Sequence, residues 1–226
     1  MPTVLCPKGL GFVWARILIR DLIRQAPMTT PVLYATLLEI ARTLPDLWPQ
    51  QPKLDLELVV FDLEENGMLG GSEHAQLTKV GAIDLHAMIS LEMLGYCTHM
   101  PNSQSLPKSL IGMYPNTGNF IAVIGNQHSE RLIEACCDGM QRVDGLPVEI
   151  LAVPFNGKYL QVTRLSDHSP FWDAGYPALM ITDTSFLRNP HYHLPTDTLE
   201  TLDLEFLRQV TQGCLEAVRH ILAVGL

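Results

Sequence analysis

Apolar residues along this chain recur with two different periods, and the switches between them predict its elements. LDLELVVFDL, from Leu54 to Leu63, carries an apolar run too short for a buried helix and reads as a buried strand over Leu56–Leu63. Similar short runs predict strands over Leu85–Leu91, Asn119–Ile124, Val148–Val153 and Pro177–Thr182. Helical spacing appears between them. Leu33, Leu37, Ile40, Ala41 and Leu44 share one face of a helix over Val32–Leu44 that stops at Pro45. Further helices are predicted over Ser72–Val80, Ser129–Gln141 and Leu202–Leu222. SDHSPFWDAG reads as a short one, with Ser166 as its N-cap and Gly175 closing it. Upstream, Val13–Ile23 alternates arginines with aliphatics as an amphipathic helix would, ahead of the breaker Pro27–Pro31. Strands alternating with helices predict an α/β sandwich, a sheet with helices on both faces.

Composition narrows the class. At 226 residues, 47% hydrophobic and 17% charged, the chain is long enough for one α/β domain with a sizeable core. Fifteen Lys+Arg against 24 Asp+Glu give a net charge of -9, which opposes nucleic-acid and anionic-membrane partners because their phosphates would be repelled. The five cysteines, Cys6, Cys97, Cys136, Cys137 and Cys214, form no C-x-x-C pair, so neither a disulfide framework nor a zinc ribbon is suggested and a reducing compartment fits. No apolar run approaches the ~18 residues of a membrane span. Arg16 interrupts what could have been a signal-peptide core, and a cytoplasmic location is the expectation.

Chemistry concentrates where strands end. The strand at Leu56–Leu63 delivers two adjacent carboxylates, Glu64 and Glu65, into a glycine-rich turn. Like charges side by side are costly, and a cation that holds one of them relieves the cost. A solvated turn is the plainer account. Glu92 closes the next strand, Asp167 and His168 open a helix, Asp183 follows the last strand, and His191 and His193 lie in the loop after it. In an open α/β sheet ligands bind at the C-terminal ends of strands. Brought to one rim, these groups supply the oxygen and nitrogen donors that zinc takes, leaving a carboxylate as a general base. Asp183 or Asp197 could orient a histidine ligand through its second nitrogen. Taken singly, His168 may be read as a cap, His191 as a loop residue, and Trp172 as core or pocket wall.

Several pieces in order, LLEIAR, VVFDLEENGMLGGSEHA, ISLEMLGY, SDHSPFWDAGYPALMITDT and RNPHYHLPTDTLETLD, resemble the zinc-dependent aminopeptidases of the co-catalytic two-zinc exopeptidase family, which includes glutamate carboxypeptidases and glutaminyl cyclases. The resemblance runs from Val32 to the C-terminus. It implies a three-layer sandwich with a mixed central sheet over 32–226, with residues 1–31 an unassigned segment of helical pattern. It implies peptide substrates and one or two zinc ions. Glu64 matches the general base, Glu65 and His193 match ligands of one zinc, and Glu92 stands where the family places an acidic ligand of the second. Asp167 and His168 fall in a motif that lines the substrate pocket, with Trp172 and Tyr192 beside it and Asp183 and Asp197 behind the ligands.

Two further ligand motifs of that family, a His-x-Asp and an Asp-Asp-Asn or Asp-Asn turn, precede the LLEIAR helix and have no counterpart here, where the first histidine is His74 and the sole acidic residue before Glu39 is Asp21. Two ligands for one zinc and one for the other fall short of the three protein donors a catalytic zinc takes. The resulting expectation is an incomplete domain, an N-terminally truncated or frame-shifted product of an aminopeptidase with little or no activity. Alternatives are a non-catalytic relative that binds peptides or partners, and a glutaminyl-cyclase-like acyltransferase. Strands missing from the sheet would leave Leu56–Leu63 at an edge, which a second copy of the chain could cover.

Overall fold

The computed structural model describes residues 16–22, 29–81 and 83–226, with the backbone path alone for 16–22, 29 and 30. Six strands form a single mixed sheet: β1 (Arg16–Leu22), β2 (Asp55–Phe61), β3 (Ala87–Glu92), β4 (Ile121–Asn126), β5 (Val148–Val153) and β6 (Ala178–Thr182), in the order β2-β1-β3-β6-β4-β5. Strands β2, β1, β3 and β6 run parallel, while β4 pairs antiparallel with β6 and parallel with β5. Every residue of β3, β4 and β6 is buried. That is why these strands read as continuous apolar runs instead of alternating ones.

The helices are α1 (Thr29–Thr43), α2 (Leu69–Lys79), α3 (Glu130–Met140), α4 (His168–Ala174) and α5 (Leu204–Val224). Residues of α1, α3 and α5 pack on one face of the sheet around Ile89, Leu91, Val123 and Ile181. On the other face Ala75 of α2 and Phe171 and Trp172 of α4 pack with Phe61, Met88 and Met180. Alternate residues of each strand serve the two layers, as the pleat requires. Helices α3 and α5 approach so closely that a Cβ on Gly139 would lie 2.3 Å from the Cα of Ala217. Asp203 caps α5, its side chain accepting from the backbone N–H groups of Glu205 and Phe206 at 3.1 and 2.9 Å. No helix among the described residues is long and apolar enough to cross a membrane.

Two expectations change. Residues 16–22, predicted as helix, form β1, inserted between β2 and β3; the rest of the predicted N-terminal helix lies outside the described residues. A seven-residue segment with an Ile-Leu-Ile centre satisfies both periods, and the pairing on both sides decides for strand. Consequently β2 is flanked on its inner side, although it still lies at the edge of the sheet among the described residues. Helix α2 also starts at Leu69, ahead of the predicted Ser72, so that Gly70 and Gly71 lie inside its first turn. Gly71 is required there: a Cβ would sit 2.2 Å from Oδ1 of the buried Asp167 at the head of α4.

Candidate functional site

Because β2, β3 and β6 are parallel, their C-terminal ends share one rim, and the predicted residues of their following turns meet there. The turn after β2 is closed by the Glu64 carbonyl, which accepts from Gly67 N and Met68 N at 2.9 and 2.7 Å. Leu63, Met93, Thr184, Ser185 and His193 all adopt positive φ, at 55°, 50°, 73°, 52° and 57°. Non-glycine residues in this region carry about 1–3 kcal/mol of strain each, and such residues concentrate at functional sites. Here they follow the ends of β2, β3 and β6 and mark the loop that brings His193 back to the rim.

His193 Nε2 lies 3.1 Å from Glu65 Oε1, with both side chains about two-fifths exposed (42% and 38%). Its ring stacks on Tyr192, with centroids 3.9 Å apart and planes at 14°. The Tyr192 hydroxyl is pushed up to about 12, first by burial, then by the negative charge of Glu92, with smaller contributions from Glu65 and Glu64 and an opposing hydrogen bond to Ser185. The negative charges after β2 and at the end of β3 thus act in the same direction on one phenol. Glu92 is nearly buried and accepts from Ser166 Oγ at 3.0 Å, and Ser166 in turn lies 2.8 Å from Ser90 Oγ. Ser166, predicted as the helix cap, stands one residue ahead of the N-cap position of α4, which Asp167 occupies.

The remaining predicted residues are spread behind the rim. Trp172 is core, 2% exposed, with its indole N–H donating to the Ala178 carbonyl at 2.8 Å. His168 is fully buried, its Nε2 2.8 Å from the Thr163 carbonyl and its ring edge-on to Trp172 at 4.4 Å. Asp167 packs on Gly71 between α2 and α4. Asp167, His168 and Trp172 are all buried. Asp183 accepts from Tyr96 N and Ser185 N at 2.8 and 2.9 Å; burial raises its pKa, against the lowering effect of Arg188 and of these bonds. It clasps two loops and does not orient His193. Asp197 is buried and lines, with Asp183 and Met93, a small cavity on the same side. His191 Nδ1 is 3.0 Å from Thr196 Oγ1, within its own loop.

Beside Glu92 and Tyr192 opens a groove of about 810 Å³, including the space at its mouth that is open to solvent. It runs over β6, β4 and β5 on the face that α2 and α4 occupy, and its walls come from the loops around Leu106, Val162 and Phe186. A buried cation, Arg188, absent from the residues picked out in the sequence, holds those walls. Arg188 Nε donates to Gln104 Oε1 at 2.8 Å and Nη1 to the Phe120 carbonyl at 2.7 Å, with its guanidinium over the Phe120 ring.

Residues 32–218 match the model of peptidase family M28. The chain belongs to that family. A relative, the uncharacterized protein YfbL of Escherichia coli (strain K12), is 33% identical over 184 residues, covering 80% of this chain and 55% of its own. The chain thus spans about half the length of the curated relative it matches. Among solved structures, the zinc aminopeptidase BSAP of Bacillus subtilis superposes with a TM-score of 0.66 at 18% identity, covering 94% of this chain and 48% of its own. The LapA aminopeptidase of Legionella pneumophila gives 0.64 at 16% identity, with 93% and 52% covered. A glutaminyl cyclase of Fimbriiglobus ruber gives 0.60 at 15%, with 91% and 70% covered. At these identities the likeness establishes the M28 fold, a mixed sheet between helical layers.

BSAP is a zinc aminopeptidase, and the described residues of this chain do not fit a complete zinc site. No three His, Cys, Asp or Glu side chains among them come together as a group able to hold a metal ion. Glu65 and His193 form a two-donor pair, whereas Glu92 accepts a hydrogen bond from Ser166. A catalytic zinc takes three protein donors and a water.

Proposed function

We propose that this chain is an aminopeptidase-type M28 protein that receives the N-terminal end of a peptide, with the terminal ammonium at the acidic rim and the first side chain in the groove. The observation that carries this reading is the juxtaposition of groove and carboxylate: Glu92 and Tyr192 line the groove, and Glu65 pairs with His193, whose ring stacks on Tyr192. A rim with that sign attracts a cationic terminus and repels a carboxylate, which favours recognition of the amino end. In the hydrolytic form of the reading, Glu64 takes a proton from the attacking water and returns it to the departing amine.

A second reading, a peptide-binding relative without turnover, is favoured by the two-donor pair of Glu65 and His193. One experiment separates them. Hydrolysis of aminoacyl-nitroanilides with added zinc is measured beside calorimetric binding of short peptides with free and acetylated N-termini. The hydrolytic form expects turnover that falls about 100-fold or more in Glu64→Gln with binding retained. Binding of free N-termini without turnover supports the second reading, and equal binding of acetylated peptides refutes both.

A further inference from the structure

The floor of the groove has a register that the proposed function does not use. Glu92 of β3 pairs with Thr182 of β6, Thr182 with Ala122 of β4, and Ala122 with Glu149 of β5. Cross-strand partners point to the same face, and all four residues line the groove. The result is a straight row, Glu-Thr-Ala-Glu, with a carboxylate at each end and two small side chains between. Three strand spacings of about 4.8 Å put the two glutamate Cα atoms about 14 Å apart. The adjacent row is Ser90, Met180, Ile124 and Leu151, and its three members that line the groove, Met180, Ile124 and Leu151, are apolar.

Glu149 stands out in this setting. The groove lining contains no lysine, arginine or histidine. Glu149 is half-buried and, among the described residues, has no hydrogen bond or ion pair; its charge adds to burial in raising the pKa of Tyr114, whose hydroxyl donates to the Ile150 carbonyl at 2.8 Å. A partly buried carboxylate in an apolar channel lowers its free energy by taking a cation.

We propose that the groove selects peptides whose N-terminal residue is lysine or arginine, with the aliphatic stem lying over Thr182 and Ala122 and the terminal cation paired to Glu149. This deepens the proposed function and rests on it, since the peptide's ammonium is taken to sit at the Glu92 end. The dimensions agree. With bonds of about 1.5 Å, an extended lysine separates its two nitrogens by about 7 Å, and a charged contact of about 2.8 Å at each end gives a span of about 13 Å. A leucine side chain would fill the near part of the groove and leave Glu149 unmatched.

The test compares Lys-Ala-Ala amide with norleucine-Ala-Ala amide, which has the same stem without the ammonium. Binding is measured by calorimetry on the full chain carrying Glu64→Gln, so that turnover does not interfere. Lysine is expected to bind about 10- to 100-fold more tightly, with the difference shrinking as salt is raised. Glu149→Gln, on an edge strand, is expected to erase that difference while leaving norleucine binding intact. Equal binding of the two peptides, or a lysine preference that survives Glu149→Gln, overturns the proposal. Val162→Trp, which fills the groove, distinguishes the levels: if norleucine binds and loses binding in this variant, the groove reading stands even where the lysine preference fails. If neither peptide binds, or Val162→Trp changes nothing, both fall.

Discussion

The interface between α3 and α5 contains two buried glycines, Gly139 and Gly213, that should respond oppositely to the same substitution. Alanine is favoured over glycine by about 1 kcal/mol in a helix interior. At Gly139 the new Cβ would lie 2.3 Å from Ala217 Cα, 2.6 Å from Ala217 N and 2.7 Å from the Glu216 carbonyl oxygen. All three are backbone atoms of the facing helix, so relief requires one helix to move away from the other. Overpacking of that kind costs about 1–3 kcal/mol and more where backbone must shift. With three such clashes the upper part of that range applies, and after the helix gain a net loss of about 2 kcal/mol is expected. At Gly213 the Cβ would meet Leu146 Cδ2 at 2.9 Å and Met140 Cε at 3.3 Å, both ends of flexible side chains. Methionine readily re-fits, so Gly213→Ala is expected within about 1 kcal/mol of wild type. Urea denaturation with linear extrapolation measures both, with the exposed Glu134→Ala on α3 as a control for helix propensity. A 2 kcal/mol loss also lowers Tm by about 4–8 °C in a domain of this size. Equal stabilities for Gly139→Ala and Gly213→Ala would refute the claimed backbone contact between these helices.

The Glu65–His193 pair is well exposed, so Glu65→Ala or His193→Ala should change unfolding stability by no more than about 1 kcal/mol. Loss of peptide or zinc binding in either variant, measured by calorimetry, would then report on the site, and a large drop in stability would contradict the exposed geometry. Tyr192, raised to about 12, should remain protonated where ordinary tyrosines ionise, and its late titration should disappear in Tyr192→Phe and move down in Glu92→Gln. The sign for stability follows. With the folded pKa above the unfolded value of about 10, the group contributes fully below pH 10 and its contribution is lost as pH rises from 10 through 12. Absorbance at 295 nm across that window checks it, and ionisation near pH 10 would count against carboxylate charges acting on the phenol.

What could be read from the sequence was whatever local pattern determines. Five of the six strands and all five helices follow from runs and spacing, because β3, β4 and β6 are buried on both faces and α5 has a capped start at Asp203. Strand β1 did not, since Arg16–Leu22 fits either period and only its two neighbours decide. Glu64, Glu65, Glu92 and His193 were found as strand-end residues. Trp172 and His168 were assigned to the pocket, and the structure buries both, with Trp172 Nε1 and His168 Nε2 each 2.8 Å from the main-chain carbonyls of Ala178 and Thr163. Ser166 and Glu149 were invisible for a different reason. Each matters through a partner across the sheet, and register between strands distant in sequence is not written in either strand alone.

Binding and bond cleavage draw on different parts of this sheet. The groove is built within β3, β6, β4 and β5 and the loops that Arg188 ties together, where strands are paired on both sides except at the outer edge of β5. Glu64 and Glu65, by contrast, hang from the end of β2, an edge strand whose residues 56–60 are only half-buried and whose one described neighbour is β1. An edge strand held from one side opens more readily than an interior one, because fewer ladder bonds and fewer buried contacts must break. Local opening at β2 would carry off the general-base candidate and Glu65 while leaving the floor of the groove, with Glu92 and Glu149, in register. Of the two activities proposed, peptide recognition should therefore be the more robust, and hydrolysis the one that would depend on how firmly the β2 edge is held.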